Sequence, residues 1–147
     1  MDRTDFEILK ILQQNARTKN TELGKLVSLT PPAVTERLYK LENSGVIEGY
    51  RAIINPEKIG KNITAFIHIQ ITPEKFNPFL EFAESNPYIH ECYHTIGRNC
   101  ILIKVLLHTT SELEELLKVI KRFGLTETSI VLSTKFKFKP IEPQTIK

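Results

Sequence analysis

Thr30, Pro32, Ala33, Thr35, Glu36, Arg37, Tyr39 and Lys40 surround an apolar repeat at Val34, Leu38 and Leu41. That spacing is helical, so Pro32, Ala33, Thr35, Glu36, Tyr39 and Lys40 face outward or sideways from a buried seam. Their chemistry suits a groove of duplex DNA. Arg37 and Lys40 can meet phosphates or guanine, and Thr35 a base edge or a thymine methyl. Pro32 and Ala33 allow close approach at the helix start. Glu36 repels phosphate, so it either accepts from a cytosine amino group or orients Arg37. An ordinary solvated helix face is the plain alternative. The turn before the helix favours the groove.

Other constellations are weak. His68, His90, His94 and His108 lie scattered over strand-like segments without the close spacing of a metal site. Cys92 stands near His94 on a core-like strand, which does not make a nucleophile pair. Glycine-rich phosphate loops are absent. No enzyme, metal or cofactor is expected.

Elements must hold the first group in place. Leu23, Leu26 and Val27 give a preceding helix its own inward stripe. Residues 20–39 therefore read as a helix-turn-helix, with the second helix running to Asn43-Ser44-Gly45. Thr30 can cap that helix and Pro31 suits its first turn. Upstream, Thr4-Asp5-Phe6-Glu7 reads as a capping box opening a helix to about Asn15. Lys19 is a poor cap, so Asn20 or Thr18 must serve the middle helix. Val46 to Ile54 reads as two short strands around Glu48-Gly49. Residues 1–54 are thus expected to form a winged helix-turn-helix domain.

Residues 55–61 have the turn residues of a linker. Beyond them Ile63, Ala65, Ile67, Ile69 and Ile71 alternate as a strand. A loop from Thr72 to Asn77 leads to a helix opened by Asn77-Pro78 and closed by Ser85-Asn86-Pro87. Tyr88–Ile96 and Cys100–Leu107 read as a hairpin. Ser111 to Glu114 is a capping box for a helix that Gly124 stops, and Thr128 to Phe138 is the last strand. Strand–helix–strand–strand–helix–strand is the ferredoxin-like order, so the expected class is α+β with this second domain at residues 62–140. A short tail, 141–147, follows.

The third strand is apolar on both sides: Ile101, Ile103, Val105 and Leu107 against Leu102 and Leu106. Two helices cover only one face, so a second copy of the chain is expected on the other. Cover from the linker or the first domain is the alternative.

Composition bounds the rest. Hydrophobic content of 41% and charged content of 25% exclude disordered and fibrous classes. The longest apolar run, Ile101 to Leu107, is interrupted by Lys104, so export and membrane spanning find no support and a cytoplasmic location is expected. Net charge is +3, and residues 1–60 carry nine basic against eight acidic groups, so charge permits DNA binding without indicating it. A hairpin turning at Gly97-Arg98-Asn99 would leave Cys92 and Cys100 roughly 13 Å apart. Both are expected as buried, reduced thiols.

Asp2, Asp5, Ile8-Leu9, Leu12-Gln13, Asn15-Ala16-Arg17, Glu22-Leu23, Leu29-Thr30, Val34, Arg37, Leu41-Glu42, Gly45-Val46-Ile47, Gly49-Tyr50 and Gly60 form a pattern that resembles the Lrp/AsnC (leucine-responsive, feast/famine) regulators. Ile96-Gly97 and Thr126 to Leu132 extend it. The resemblance implies a DNA-binding transcriptional regulator, dimeric and often octameric, with an amino-acid effector near the loop after the second regulatory strand. By position that loop is Thr95, Gly97, Arg98, Asn99 and Cys100, faced by Glu127, Thr128 and Ser129. Arg98 could hold a carboxylate. The family commonly has an acidic residue where Cys100 stands, and a thiol is a poor partner for an ammonium group. A plain hairpin turn without a ligand is the alternative. Two other function classes remain at this level: a chromatin-like architectural DNA binder with little sequence preference, and a metabolite-binding ferredoxin-like protein.

Overall fold

The computed structural model describes residues 1–142. They divide into two compact units, one formed by residues 1–53 with residues 136–142, the other by Ile54–Lys135.

The first unit opens with α1 (Arg3–Gln14), α2 (Asn20–Leu26) and α3 (Pro31–Asn43). α1 starts two residues before the sequence motif suggested. Asp2 is the N-cap, accepting from the Asp5 amide at 2.9 Å while the Asp5 carboxylate accepts from the Asp2 amide at 2.8 Å. A charged acceptor at each end satisfies the free first-turn donors better than Thr4 would. Lys19 takes the cap position of α2 with no side-chain bond, because Asn20 reaches Thr35 and Thr18 donates to Asn15 O instead. Ile8, Leu12, Leu23, Val27, Val34 and Leu41 form the core of this unit. Leu26, expected inside, is 59% exposed.

The expected ribbon over Val46–Ile54 does not form. The Val46 and Ile47 amides both turn back to donate to Leu41 O, at 3.0 and 3.1 Å. Tyr50 OH donates to Glu42 at 2.9 Å. These bonds splice the start of the segment onto the end of α3, so the Val46 and Ile47 amides are not available to a ladder.

The second unit begins with a single helical turn, Glu57–Ile59, ended by Gly60 at φ +84°. Its sheet holds β1 (Ile63–Ile71), β2 (Ile89–His94), β3 (Ile101–Leu107) and β4 (Gly124–Ile130), with α4 (Pro73–Ser85) and α5 (Thr110–Ile120). The order β2-β3-β1-β4, antiparallel throughout, is the ferredoxin-like arrangement expected. In register, Ile67 pairs with Ile103 and with Thr128, and Phe66 with Lys104 and Ser129.

Several boundaries differ from those expected, and β2 is shorter, Ile89–His94 rather than Tyr88–Ile96. α4 starts at Pro73 rather than Asn77-Pro78. Pro73 fits the first turn, and Pro78 is left inside the helix, where it forgoes one bond and crowds the preceding turn. α5 is capped by Thr109, whose hydroxyl accepts from the Glu112 amide at 3.2 Å, ahead of Ser111. β4 runs Gly124–Ile130 instead of Thr128–Phe138, and a Cβ on Gly124 would strike the Gln70 carbonyl oxygen. The glycine permits a close strand crossing and is not a helix stop.

The core lies between one sheet face and the two helices. Ala65, Ile67, Ile69, Ile101, Ile103, Val105 and Leu107 are buried against Phe79, Ala83, Leu113, Leu116 and Ile120. Each fully buried isoleucine stabilises by roughly 1.5–3 kcal/mol. The opposite face has no cover in the chain's own second unit. Phe66, Leu102 and Leu106 stay partly exposed there, and Leu125 is 74% exposed. Glu91 accepts from Lys104 at 2.7 Å and from Tyr93 at 2.9 Å on the same side. Both cysteines are free, but Cys92 is exposed because β2 is an edge strand, and only Cys100 is half-buried.

Candidate nucleic-acid interface and effector loop

The turn between α2 and α3 depends on two residues that periodicity does not mark. Gly24 is buried, and a Cβ there would lie 2.5 Å from the Leu29 carbonyl oxygen. The Leu29 amide donates to Gly24 O at 2.8 Å, which closes the turn. Ser28 holds φ +56°, a left-handed conformation uncommon outside glycine. A glycine inside a helical repeat weakens the helix, and that cost is the sequence signal for a packing role.

α3 presents the residues singled out above. Thr30 takes the cap position, but its hydroxyl makes no capping bond; Thr30 O accepts the Val34 amide at 3.0 Å. Pro31 and Pro32 carry no N–H, so fewer first-turn donors need a partner. Thr35 donates to Pro31 O and accepts from Asn20 Nδ2, each at 3.0 Å, which fixes its hydroxyl and links the two helices. Pro32, Thr35, Glu36, Tyr39 and Lys40 are exposed, and Ala33 is half-buried. Tyr39 is 64% exposed.

Arg37 has partners outside α3. Its Nη1 sits 2.7 Å from both Asp2 Oδ2 and Asp5 Oδ1, joining α3 to the first turn of α1. Both carboxylates engage Nη1 alone, so Arg37 ties α3 to α1 while the rest of its guanidinium fork has no bonded partner among the described residues. The Asp5 amide and then Arg37 hold the Asp2 carboxyl below its ordinary range, and Asp5 and Asp2 together raise Arg37. Glu36 does not orient Arg37; it accepts from Lys40 at 2.6 Å, one turn along, and that bond lowers its pKa. This pair is exposed and easily exchanged for another partner.

In the second unit, the loop after β2 is closed by the Thr95 amide donating to Cys100 O at 2.7 Å and by Thr95 Oγ1 donating to Asn99 O at 2.9 Å. Gly97 takes φ +143°, which suits glycine. Asn99 Nδ2 approaches Glu127 Oε2 to 3.5 Å, so the loop and β4 do meet. The pairing of Glu127 with His68 and of Ser129 with Phe66 puts both on the uncovered sheet face. Thr128 pairs with buried Ile67 and so lies on the helix side, apart from its neighbours. Cys100 also turns inward. Its Sγ is 3.9 Å from Ile71 O, in an open cleft of about 410 Å3 lined also by Phe76 and His94. Arg98 has no bonded partner among the described residues, and those residues hold no cluster of three metal-ligating side chains.

Two family profiles match the chain: winged helix-turn-helix DNA-binding over residues 1–48, and the Lrp/AsnC ligand binding domain over residues 64–141. An uncharacterised HTH-type transcriptional regulator of Bacillus subtilis, YezC, is 40% identical over 134 residues, covering 91% of this chain and 95% of its own. The chain belongs to the Lrp/AsnC family. The regulatory protein AsnC of Haemophilus influenzae is 33% identical, with 88% of this chain and 90% of that one covered. The solved structure of Escherichia coli AsnC superposes with a TM-score of 0.86 at 31% identity, covering 97% of this chain and 99% of that chain. A Neisseria meningitidis regulator, solved as a complex with L-methionine, shares the fold at a TM-score of 0.90 and 24% identity, covering 96% of each chain. Like its Lrp/AsnC relatives, the protein is a DNA-binding transcriptional regulator.

Proposed function

We propose that this Lrp/AsnC regulator works in the cytoplasm as a homodimer, assembling further towards an octamer, and binds without catalysing a reaction. Two copies of α3 enter successive major grooves about one helical turn apart, roughly 34 Å, on a pseudo-palindromic site. Thr35 and Tyr39 meet base edges or sugars, Lys40 exchanges Glu36 for a phosphate, and Pro32 and Ala33 let the backbone come close. Thr30 lines the approach. Arg37 sets the angle of α3 from behind.

The observation that carries the paired reading is the open sheet face, where Phe66, Leu102 and Leu106 remain partly exposed and Leu125 is 74% exposed. A monomer gains by covering apolar surface of this kind. The effector reading rests on the Asn99–Glu127 approach. Glu127 supplies the carboxylate that Cys100 lacks, Arg98 can hold a carboxylate, and a zwitterionic amino acid has one group for each. The L-methionine bound to the Neisseria regulator is a ligand of that class.

Mass in solution, measured with and without a panel of amino acids, tests both parts. A dimer or larger species is expected, with its mass or DNA affinity shifted by one ligand and the shift lost in Glu127→Gln. A monomer that still binds a palindromic operator tightly would refute the paired reader. Indifference to every amino acid would remove the effector.

A further inference from the structure

Lys135-Phe136-Lys137-Phe138-Lys139 alternates basic and aromatic residues, and nothing in the helix-turn-helix reading uses it. From Phe136 the chain packs with the helical unit. It forms neither helix nor ladder there and is pinned by side chains of α1. Gln13 acts as a two-point clamp: its Oε1 accepts from the Ile141 amide at 2.7 Å and its Nε2 donates to Ile141 O at 3.1 Å. Lys10 Nζ lies 3.7 Å from Glu142 beside it. Lys137 and Lys139 are exposed and enter no ion pair among the described residues. Lys139 Nζ stands 4.9 Å over the Phe136 ring, which holds its charge at the surface without neutralising it.

On α3 itself little positive charge stands free, whereas Arg17, Lys19, Lys25 and Arg51 elsewhere in the helical unit are exposed and enter no ion pair among the described residues. On α3, Arg37 is held by Asp2 and Asp5, and Lys40 is paired with Glu36. Binding to a polyanion draws most of its sequence-independent strength from cations that displace condensed counterions. We infer that the strap of residues 136–142 is an accessory DNA-contact element, with Lys137 and Lys139 binding phosphates of the duplex that flanks the bases read by α3. This rests on the DNA-binding reading above. The partner is the sugar-phosphate backbone, so no particular base sequence is required.

That independence makes the test simple, because a labelled random-sequence duplex is a sufficient probe. The full-length Lys137→Gln/Lys139→Gln variant is titrated against it across a salt series beside the wild type. The slope of log K on log salt should fall by up to about 1.8 for each strap on the duplex, so up to about 3.6 for a dimer, and the affinity gap should narrow by about twelvefold per strap between roughly 50 and 200 mM salt. Gln13→Ala, which unpins the strap and keeps its charge, should weaken binding with a smaller change of slope. A double variant with wild-type slope and affinity overturns the strap alone. A reduced slope accompanied by a change in solution mass also overturns it, since the lysines would then serve contacts between copies. A wild type that binds no duplex at low salt overturns the DNA-binding reading and the strap together.

Discussion

Arg37 and Asp5, separated by 32 positions in the chain, are joined by a 2.7 Å charge-assisted hydrogen bond that anchors the recognition helix to the first helix. Arg37→Ala should therefore lower the thermal midpoint of the helical unit. Its effect on DNA binding should be the same on specific and random duplexes once folded protein is compared. A slope change of about one unit with unaltered stability would instead make Arg37 a phosphate ligand.

The same clamp has a pH signature. The Asp2 carboxyl lies below its ordinary value of 3.8, through the Asp5 amide first and Arg37 second. A depressed carboxylate contributes stability that is complete above the unfolded pKa and is lost as pH falls through the folded one. Thermal midpoints measured from pH 6 down to about 2 should fall through this window in the wild type. They should fall less in Asp2→Asn, whose starting stability is already lower.

At the alkaline end Tyr50 behaves oppositely. Partial burial, then its bond to Glu42 and the charge of Glu42, push the phenol up to about 12. A raised pKa means the contribution is whole below the unfolded value near 10 and disappears as pH rises through about 12. Tyr50→Phe should flatten stability over that interval, read by helix content against pH.

Gly24 and Ser28 predict opposite outcomes in one turn. Gly24→Ala drives a methyl into the Leu29 carbonyl and should destabilise the unit by about 1–3 kcal/mol, with loss of operator binding. Ser28→Gly removes left-handed strain and should stabilise by up to roughly 1 kcal/mol while binding is kept. Urea unfolding of both variants gives the comparison.

The sheet supplies the last pair. Ile103→Ala, in the buried face, should cost about 2–5 kcal/mol. Phe66→Glu, on the uncovered face, should leave the unit folded and yield monomers by sedimentation, with operator affinity sharply reduced. A folded dimer carrying Phe66→Glu would place the partner elsewhere.

The fold was legible where one periodicity ran without competition. The Ile63–Ile71 alternation and the Val34, Leu38, Leu41 stripe both appear as read. Boundaries slipped where two residues could do the same job: Asp2 against Thr4 as cap, Thr109 against Ser111, Pro73 against Pro78. The ribbon failed because the Val46 and Ile47 amides found Leu41 O, a partner that spacing alone does not reveal. Among the candidate site residues, outward placement was readable from helical phase. The capture of Arg37 by two distant aspartates was not, since it depends on how α1 crosses α3. Likewise Glu127 and Thr128 part company because a strand alternates, and the β4 start at Gly124 fixed which one faces the loop.

Because residues 136–142 return to the helices that open the chain, the ferredoxin-like unit is in effect an insertion within the DNA-reading one. During synthesis the three helices emerge first, yet the clamp at Gln13 can close only after Ile141 has left the ribosome. A product truncated near position 130 would keep its recognition helix and its whole sheet but lack the strap, so such a fragment would report on the intact regulator incompletely.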